Sequence, residues 1–155
     1  MNKMSFEIPV VRQKDVVVIG GGCAGIAAAI CAARHGAQTL LVESNGVLGG
    51  MATAGLVGPF MTCYDPDGQN QVIKGFFDEF VREMEKRGGA IHPEHVEAGT
   101  SHAGYRVYGH AHCGPFNAET VKRVAEDLCT ESGVELLYHA MFVEPCMNED
   151  GTQIN

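Results

Sequence analysis

The chain has 155 residues, room for one domain with a sizeable core, and its 45% hydrophobic and 19% charged residues are ordinary for a soluble globular protein. The formal net charge is −8, and the 11 basic residues are scattered apart from Lys86-Arg87 and Lys122-Arg123. That excludes a nucleic-acid surface, which needs clustered cations, and it means that a phosphate-bearing ligand must be held by backbone N–H groups.

Residues 1–14 contain no long apolar run of the kind a signal peptide needs, and no stretch approaches the roughly 20 apolar residues of a membrane span. They read as an N-terminal extension to a domain over 15–155, and a cytoplasmic location without membrane contact is expected. The six cysteines, Cys23, Cys31, Cys63, Cys113, Cys129 and Cys146, form no C-x-x-C pair. Three lie in apolar or helical runs, where a free thiol behaves as a small hydrophobe, so a reducing compartment without disulfides is expected.

Residues 15–19, Asp-Val-Val-Val-Ile, are a β-branched run cut off by three glycines, as in a buried parallel strand. The Ala-, Ile- and Cys-rich residues 23–35 suit a helix packed closely on a sheet, stopped by Gly36. Thr39–Val42 reads as a second strand ending at Glu43, which completes one βαβ unit of the expected size, about 30 residues. A glycine-rich loop follows over 45–59. Residues 72–87 then place Ile73, Phe76, Phe77, Phe80, Val81 and Met84 on one helical stripe that ends at Gly88-Gly89. Residues 90–115 are irregular, with 105–108 the only strand-like island, and are expected near the substrate side. Asn117 caps a helix running to about Ser132, with Val121, Val124 and Leu128 inward and Gly133 as its stop. Residues 134–138 read as a buried strand and 140–147 as one more, followed by the turn Glu149-Asp150-Gly151. The chain ends four residues later, so the second arm of that hairpin is missing and truncation at the C-terminus is expected.

Gly20-Gly21-Gly22-Cys23-Ala24-Gly25 fits G-x-G-x-x-G. By itself such a glycine turn can simply join a strand to a helix. Here it follows a strand, opens a helix, and has Glu43 at the end of the next strand, 18 residues after Gly25, which is the context a dinucleotide site requires. Gly20 permits the tight turn, Gly22 lets a pyrophosphate approach the backbone, and Gly25 lets helix and strand pack closely. The pyrophosphate then meets the N-terminus of the helix, where unpaired amides and the macrodipole favour negative charge. Glu43 accepts hydrogen bonds from ribose hydroxyls and repels a 2′-phosphate, which favours FAD or NAD over NADP.

Leu48-Gly49-Gly50-Met51-Ala52-Thr53 narrows the nucleotide. With this segment the chain resembles the FAD-dependent oxidoreductases of the glutathione-reductase-like FAD/NAD(P)-binding superfamily, in the branch with a glycine doublet after the ribose-binding acid. The resemblance covers most of the chain, through 72–87 and 116–143. It implies an α/β, Rossmann-like three-layer domain with a parallel sheet, and a cofactor-binding set of Gly20, Gly21, Gly22, Cys23, Ala24, Gly25, Glu43, Ser44, Gly49, Gly50, Met51, Thr53 and Phe142. In that family the doublet lies against the flavin dinucleotide, the Thr region runs along its pyrophosphate and ribityl chain, and backbone near Phe142 meets the adenine. The departure is the C-terminus: the later glycine-aspartate flavin motif and the substrate domain have no counterpart. Two other readings stay open, a non-catalytic fragment or subunit completed by a partner chain, and the NAD-binding domain of a dehydrogenase.

No catalytic residue follows from the sequence. His110, His112 and Cys113, with His92 and His95 upstream, carry metal-ligating types but no complete tetrahedral set, so a polar loop is favoured over a metal site. Cys63 and Cys113 lack the short spacing of a redox pair. Tyr105, Arg106 and Tyr108 have the chemistry to meet a substrate carboxylate, but nothing ties them to a flavin.

Overall fold

The computed structural model describes residues 9–10, 12–61, 63–96, 112–152 and 154. The first strand, β1 (Val16–Ile19), runs into α1 (Cys23–Arg34) and back to β2 (Thr39–Val42). Further along lie α2 (Phe76–Lys86), α3 (Ala118–Glu131) and β3 (Glu135–Leu137). All three strands are parallel in the order β1-β2-β3, with Val18 opposite Leu41 and Leu41 opposite Leu136. Parallel neighbours need a crossover, and α1 and α3 supply packing against the sheet as such crossovers do. The expected α/β class with a parallel sheet is borne out.

Leu41 is fully buried at the sheet's centre, where it joins Ile26, Ala29 and Ile30 of α1 and Val121, Val124, Ala125 and Leu128 of α3. Phe80 and Met84 bring α2 onto the same cluster. Each large aliphatic side chain buried here contributes about 1.5–3 kcal/mol, which outweighs the modest intrinsic helix preference of α2 and α3. The helices occupy one face. On the other, alternate residues of β1, Val17 and Ile19, are 50% and 48% exposed, so among the described residues a third layer is not formed. Ahead of β1, Arg12 and Lys14 both pair with Glu135 of β3.

Two expectations are corrected. The helix expected over 72–87 starts only at Phe76, because the amides of Val72 and Ile73 both donate to Cys63 O, at 2.8 and 3.2 Å. Residues 63–64 and 71–73 thus form a small antiparallel contact, and Gly75, with φ +69°, redirects the chain into α2. The strand expected over 140–147 is absent: Met141 and Val143 stand 82% and 85% exposed, and only Met147 bridges Ile154. An apolar run becomes a strand only where a partner edge meets its amides, and no described residue offers one there. The island at 105–108 lies outside the described residues.

Candidate functional site

The glycine turn is fixed to the C-terminal end of the sheet. Gly20 N–H donates to Val42 O at 2.8 Å, and its φ of +94° gives the sharp exit from β1 that a side chain would resist. A Cβ on Gly25 would stand 1.8 Å from Gly20 O, so only glycine lets α1 lie this close to the strand. Gly22 caps α1 with extended backbone, and a Cβ there meets nothing within 4 Å. No side chain caps this helix and no acid lies in its first turn. Its first amides have no acceptors inside the helix. By contrast, Asn117 caps α3 by accepting from the amides of Glu119 and Thr120 at 2.8 and 3.2 Å.

Glu43, buried at the end of β2, reaches the turn: Gly21 N–H donates to its Oε2 at 2.7 Å. Its Oε1 accepts three bonds, from the Asn45 amide at 2.7 Å, the Asn45 side chain at 2.8 Å and the Ser44 hydroxyl at 3.1 Å. Burial pushes the carboxyl upward, but the hydrogen bonds from Asn45, Gly21 and Ser44 outweigh it and hold the group below its ordinary range. Glu43 is therefore an anchored carboxylate at neutral pH. Oε2, with one donor, keeps a lone pair available, whereas Oε1 is saturated.

The second glycine segment lies directly on the first. Gly49 N–H donates to Gly21 O at 2.8 Å, Gly49 bridges Gly22 as a parallel pair, and a Cβ on Gly50 would stand 2.9 Å from Gly22 Cα. Leu48 closes the floor, since a Cβ on Gly21 would meet its Cδ2 at 2.5 Å. Thr53 turns inward; its hydroxyl donates to Leu48 O at 2.7 Å and so holds the doublet in place, while Met51 is 66% exposed.

Other sequence candidates scatter. Cys23 points its sulfur at Gly49 O, 3.8 Å away, and desolvation raises its thiol above the ordinary range, as burial does for Cys63, to about 11, and Cys113. None of the three is a thiolate at neutral pH. Phe142 is half exposed, two residues beyond Ala140, whose amide donates to Glu43 O at 3.1 Å. His92 is buried, with Nε2 3.1 Å from Asp78 Oδ1, and His95 lies 3.0 Å from Glu85; they brace a short turn, Pro93–His95, against α2. His112 lies against Pro93 O at 2.9 Å. Among the described residues no group of three ligating side chains could hold a metal. His110, Tyr105, Arg106 and Tyr108 lie outside the described residues. Asn45 is a further residue of the site that its sequence position does not signal: its backbone and side-chain amides both donate to Oε1 of Glu43.

Among the described residues no helix is long and apolar enough to cross a membrane. A family model described as FAD dependent oxidoreductase matches residues 15–155. The chain is similar to glutathione reductase of Schizosaccharomyces pombe, 50% identical over 42 residues, which covers 27% of this chain and 9% of that protein. It is also similar to the FAD-dependent oxidoreductase dbaF of Emericella nidulans, 38% identical over 80 residues, covering 47% of this chain and 16% of that one. The chain thus spans a small part of the length of these curated relatives. Among solved structures, Aquifex aeolicus GidA is 21% identical with a TM-score of 0.48, over 95% of this chain and 22% of that one.

Proposed function

The chain belongs to the FAD dependent oxidoreductase family and its cofactor is FAD; from that premise we propose that the turn over residues 20–25, with Glu43, Gly49 and Gly50, holds the ADP half of the cofactor. The observation that carries this reading is the α1 N-terminus, left uncapped behind the open space at Gly22 and beside an anchored carboxylate. Diphosphate oxygens accept from the first amides of α1, and a ribose hydroxyl donates to Oε2 of Glu43, the oxygen with a lone pair to spare. The Gly49-Gly50 doublet adds a second bare backbone surface against Gly22, where any side chain would close the approach.

FAD, when bound, supplies the hydride or electron-pair transfer of the proposed oxidoreductase activity. The protein binds and orients that cofactor. Saturable binding of FAD, with weaker binding of FMN because it lacks the AMP half, is the expected outcome of titration by flavin fluorescence. NADP+ binding as tightly as FAD would overturn the assignment of Glu43, since a carboxylate there opposes a 2′-phosphate. A second reading, in which this unit binds the dinucleotide but acts only with further protein over its open sheet face, is favoured by the exposure of Val17 and Ile19. Turnover of an artificial electron acceptor by residues 1–155 alone would count against it.

A further inference from the structure

A cavity of about 290 Å³ opens between α1 and α2, lined by Cys23, Ile26 and Ala27 on one side and by Phe60, Phe76, Phe77 and Phe80 on the other, with Lys74 at its border. Its walls are held by one another. Phe60 stacks on Phe116 with ring centres 4.2 Å apart and meets Phe77 edge-on at 5.6 Å, while Phe76 lies 5.9 Å from Phe80. The lining is almost wholly apolar, and the one charge on it is a cation. Among the described residues no carboxylate pairs with Lys74, in a chain whose net charge is −8 and most of whose other described lysines and arginines are bridged to acids. A lysine without an acidic partner on the border of a cavity lined by four phenyl rings is a complementary surface for an anion with an aromatic body.

We propose that this cavity binds a small aromatic carboxylate, its ring against Phe60, Phe76 and Phe77 and its carboxylate on Lys74 Nζ. The size favours such a molecule over a docking helix: a sphere of that volume is about 8 Å across, and a helix with its side chains needs about 10–12 Å. The volume stands at the small end of the range for ligand sites, roughly 300–1,000 Å³. Rings propped by their neighbours are already in place, so little side-chain ordering opposes entry of a ligand. The cavity borders the glycine turn at Cys23, and the inference rests on the cavity's own lining whether or not the turn holds FAD as proposed.

The test uses the full-length protein and two probes of similar shape, 2-naphthoate and the uncharged 2-naphthalenemethanol, followed by isothermal titration calorimetry. Naphthoate is expected to saturate at one molecule per chain. Lys74→Gln should weaken naphthoate about fivefold, the upper range for an exposed ion pair, and leave naphthalenemethanol within about twofold. Ala27→Leu, which fills the cavity from α1, should abolish binding of both probes. The proposal is overturned if naphthoate fails to saturate, which is also the result expected if another part of the protein or a second copy fills the space. It is equally overturned if Lys74→Gln affects both probes alike or neither, or if Ala27→Leu folds as the parent does and still binds them.

Discussion

Two glycines three residues apart should respond to substitution in opposite ways, and the contrast tests the proposed site more sharply than either variant alone. At Gly25 an added methyl would stand 1.8 Å from Gly20 O and 3.0 Å from Gly20 C, both backbone atoms that cannot swing aside. Relief needs roughly 1.5 Å of separation between α1 and β1 to restore ordinary contact, which loosens Ile26, Ala29 and Ile30 against Leu41. Overpacking of that kind costs about 3 kcal/mol, or about 6–12 °C in Tm for a domain of this size. At Gly22 a side chain meets nothing within 4 Å, and φ −72°, ψ 178° suits any residue. Gly22→Val should therefore leave the melting temperature of the ligand-free protein within about 4 °C, the cost of a poorer N-cap. Its isopropyl group projects into the space before the first amides of α1, however, and prevents a diphosphate from reaching them. Loss of two charge-assisted bonds, about 1.5–3 kcal/mol each, lowers FAD affinity by about 100-fold or more. Thermal unfolding without ligand and fluorescence titration with FAD measure the two effects separately. Gly22→Val with parental affinity would refute the proposal that the diphosphate lies there; Gly25→Ala with parental stability would refute the close helix–strand contact.

Glu43→Gln should destabilise the protein by about 1–3 kcal/mol in urea unfolding, because one end of the amide must present N–H to the donors of Gly21 or Asn45. The wild-type carboxyl, held below its ordinary value of 4.5, contributes its stability in full above that pH and loses it as pH falls through the lower folded value, so the variant's acid limb should be shallower; matching profiles would exclude this role. Tyr138→Phe removes a buried hydroxyl that has no hydrogen-bond partner among the described residues, and a gain of about 1 kcal/mol is expected by the same assay, a loss arguing for a hidden partner. Asn117→Ala strips the cap from α3 and should cost about 1 kcal/mol while FAD affinity stays unchanged; reduced affinity would mean that α3 is coupled to the glycine turn.

The βαβ unit was legible in the sequence because its signals are local. A β-branched run, three glycines and an Ala-rich segment each fix their own conformation, and Asn117 and Gly133 do the same at the ends of α3. The shortened α2 and the missing strand over 140–147 were not legible for the opposite reason. Whether Val72 and Ile73 extend a helix or pair with Cys63 is decided by a partner nine and ten residues upstream, and whether Met141 to Val143 form a strand is decided by an edge that no described residue supplies. At the site, the spacing of the glycine turn and Glu43 told that the acid returns to the turn but not how. Glu43 bonds an amide of the turn itself, and Thr53, expected to lie along the cofactor, turns inward to hold the doublet.

That bond divides the labour at the turn. Gly21 N–H is already taken by Glu43, so it is not free for phosphate, and the carboxylate's charge opposes an anion placed beside it. In the proposed site the diphosphate is therefore assigned one peptide further, to the start of α1, where no acid lies in the first turn and no side chain caps the helix. The same proposal leaves the sugar to Oε2, on a carboxylate already held by four donors. The proposal thus accounts for an anionic dinucleotide on a chain of net charge −8 with no basic cluster among the described residues of the site. On the proposed reading, positive potential comes from oriented peptide groups rather than from lysine or arginine, and the acid assigned to the ribose also keeps the phosphate in register.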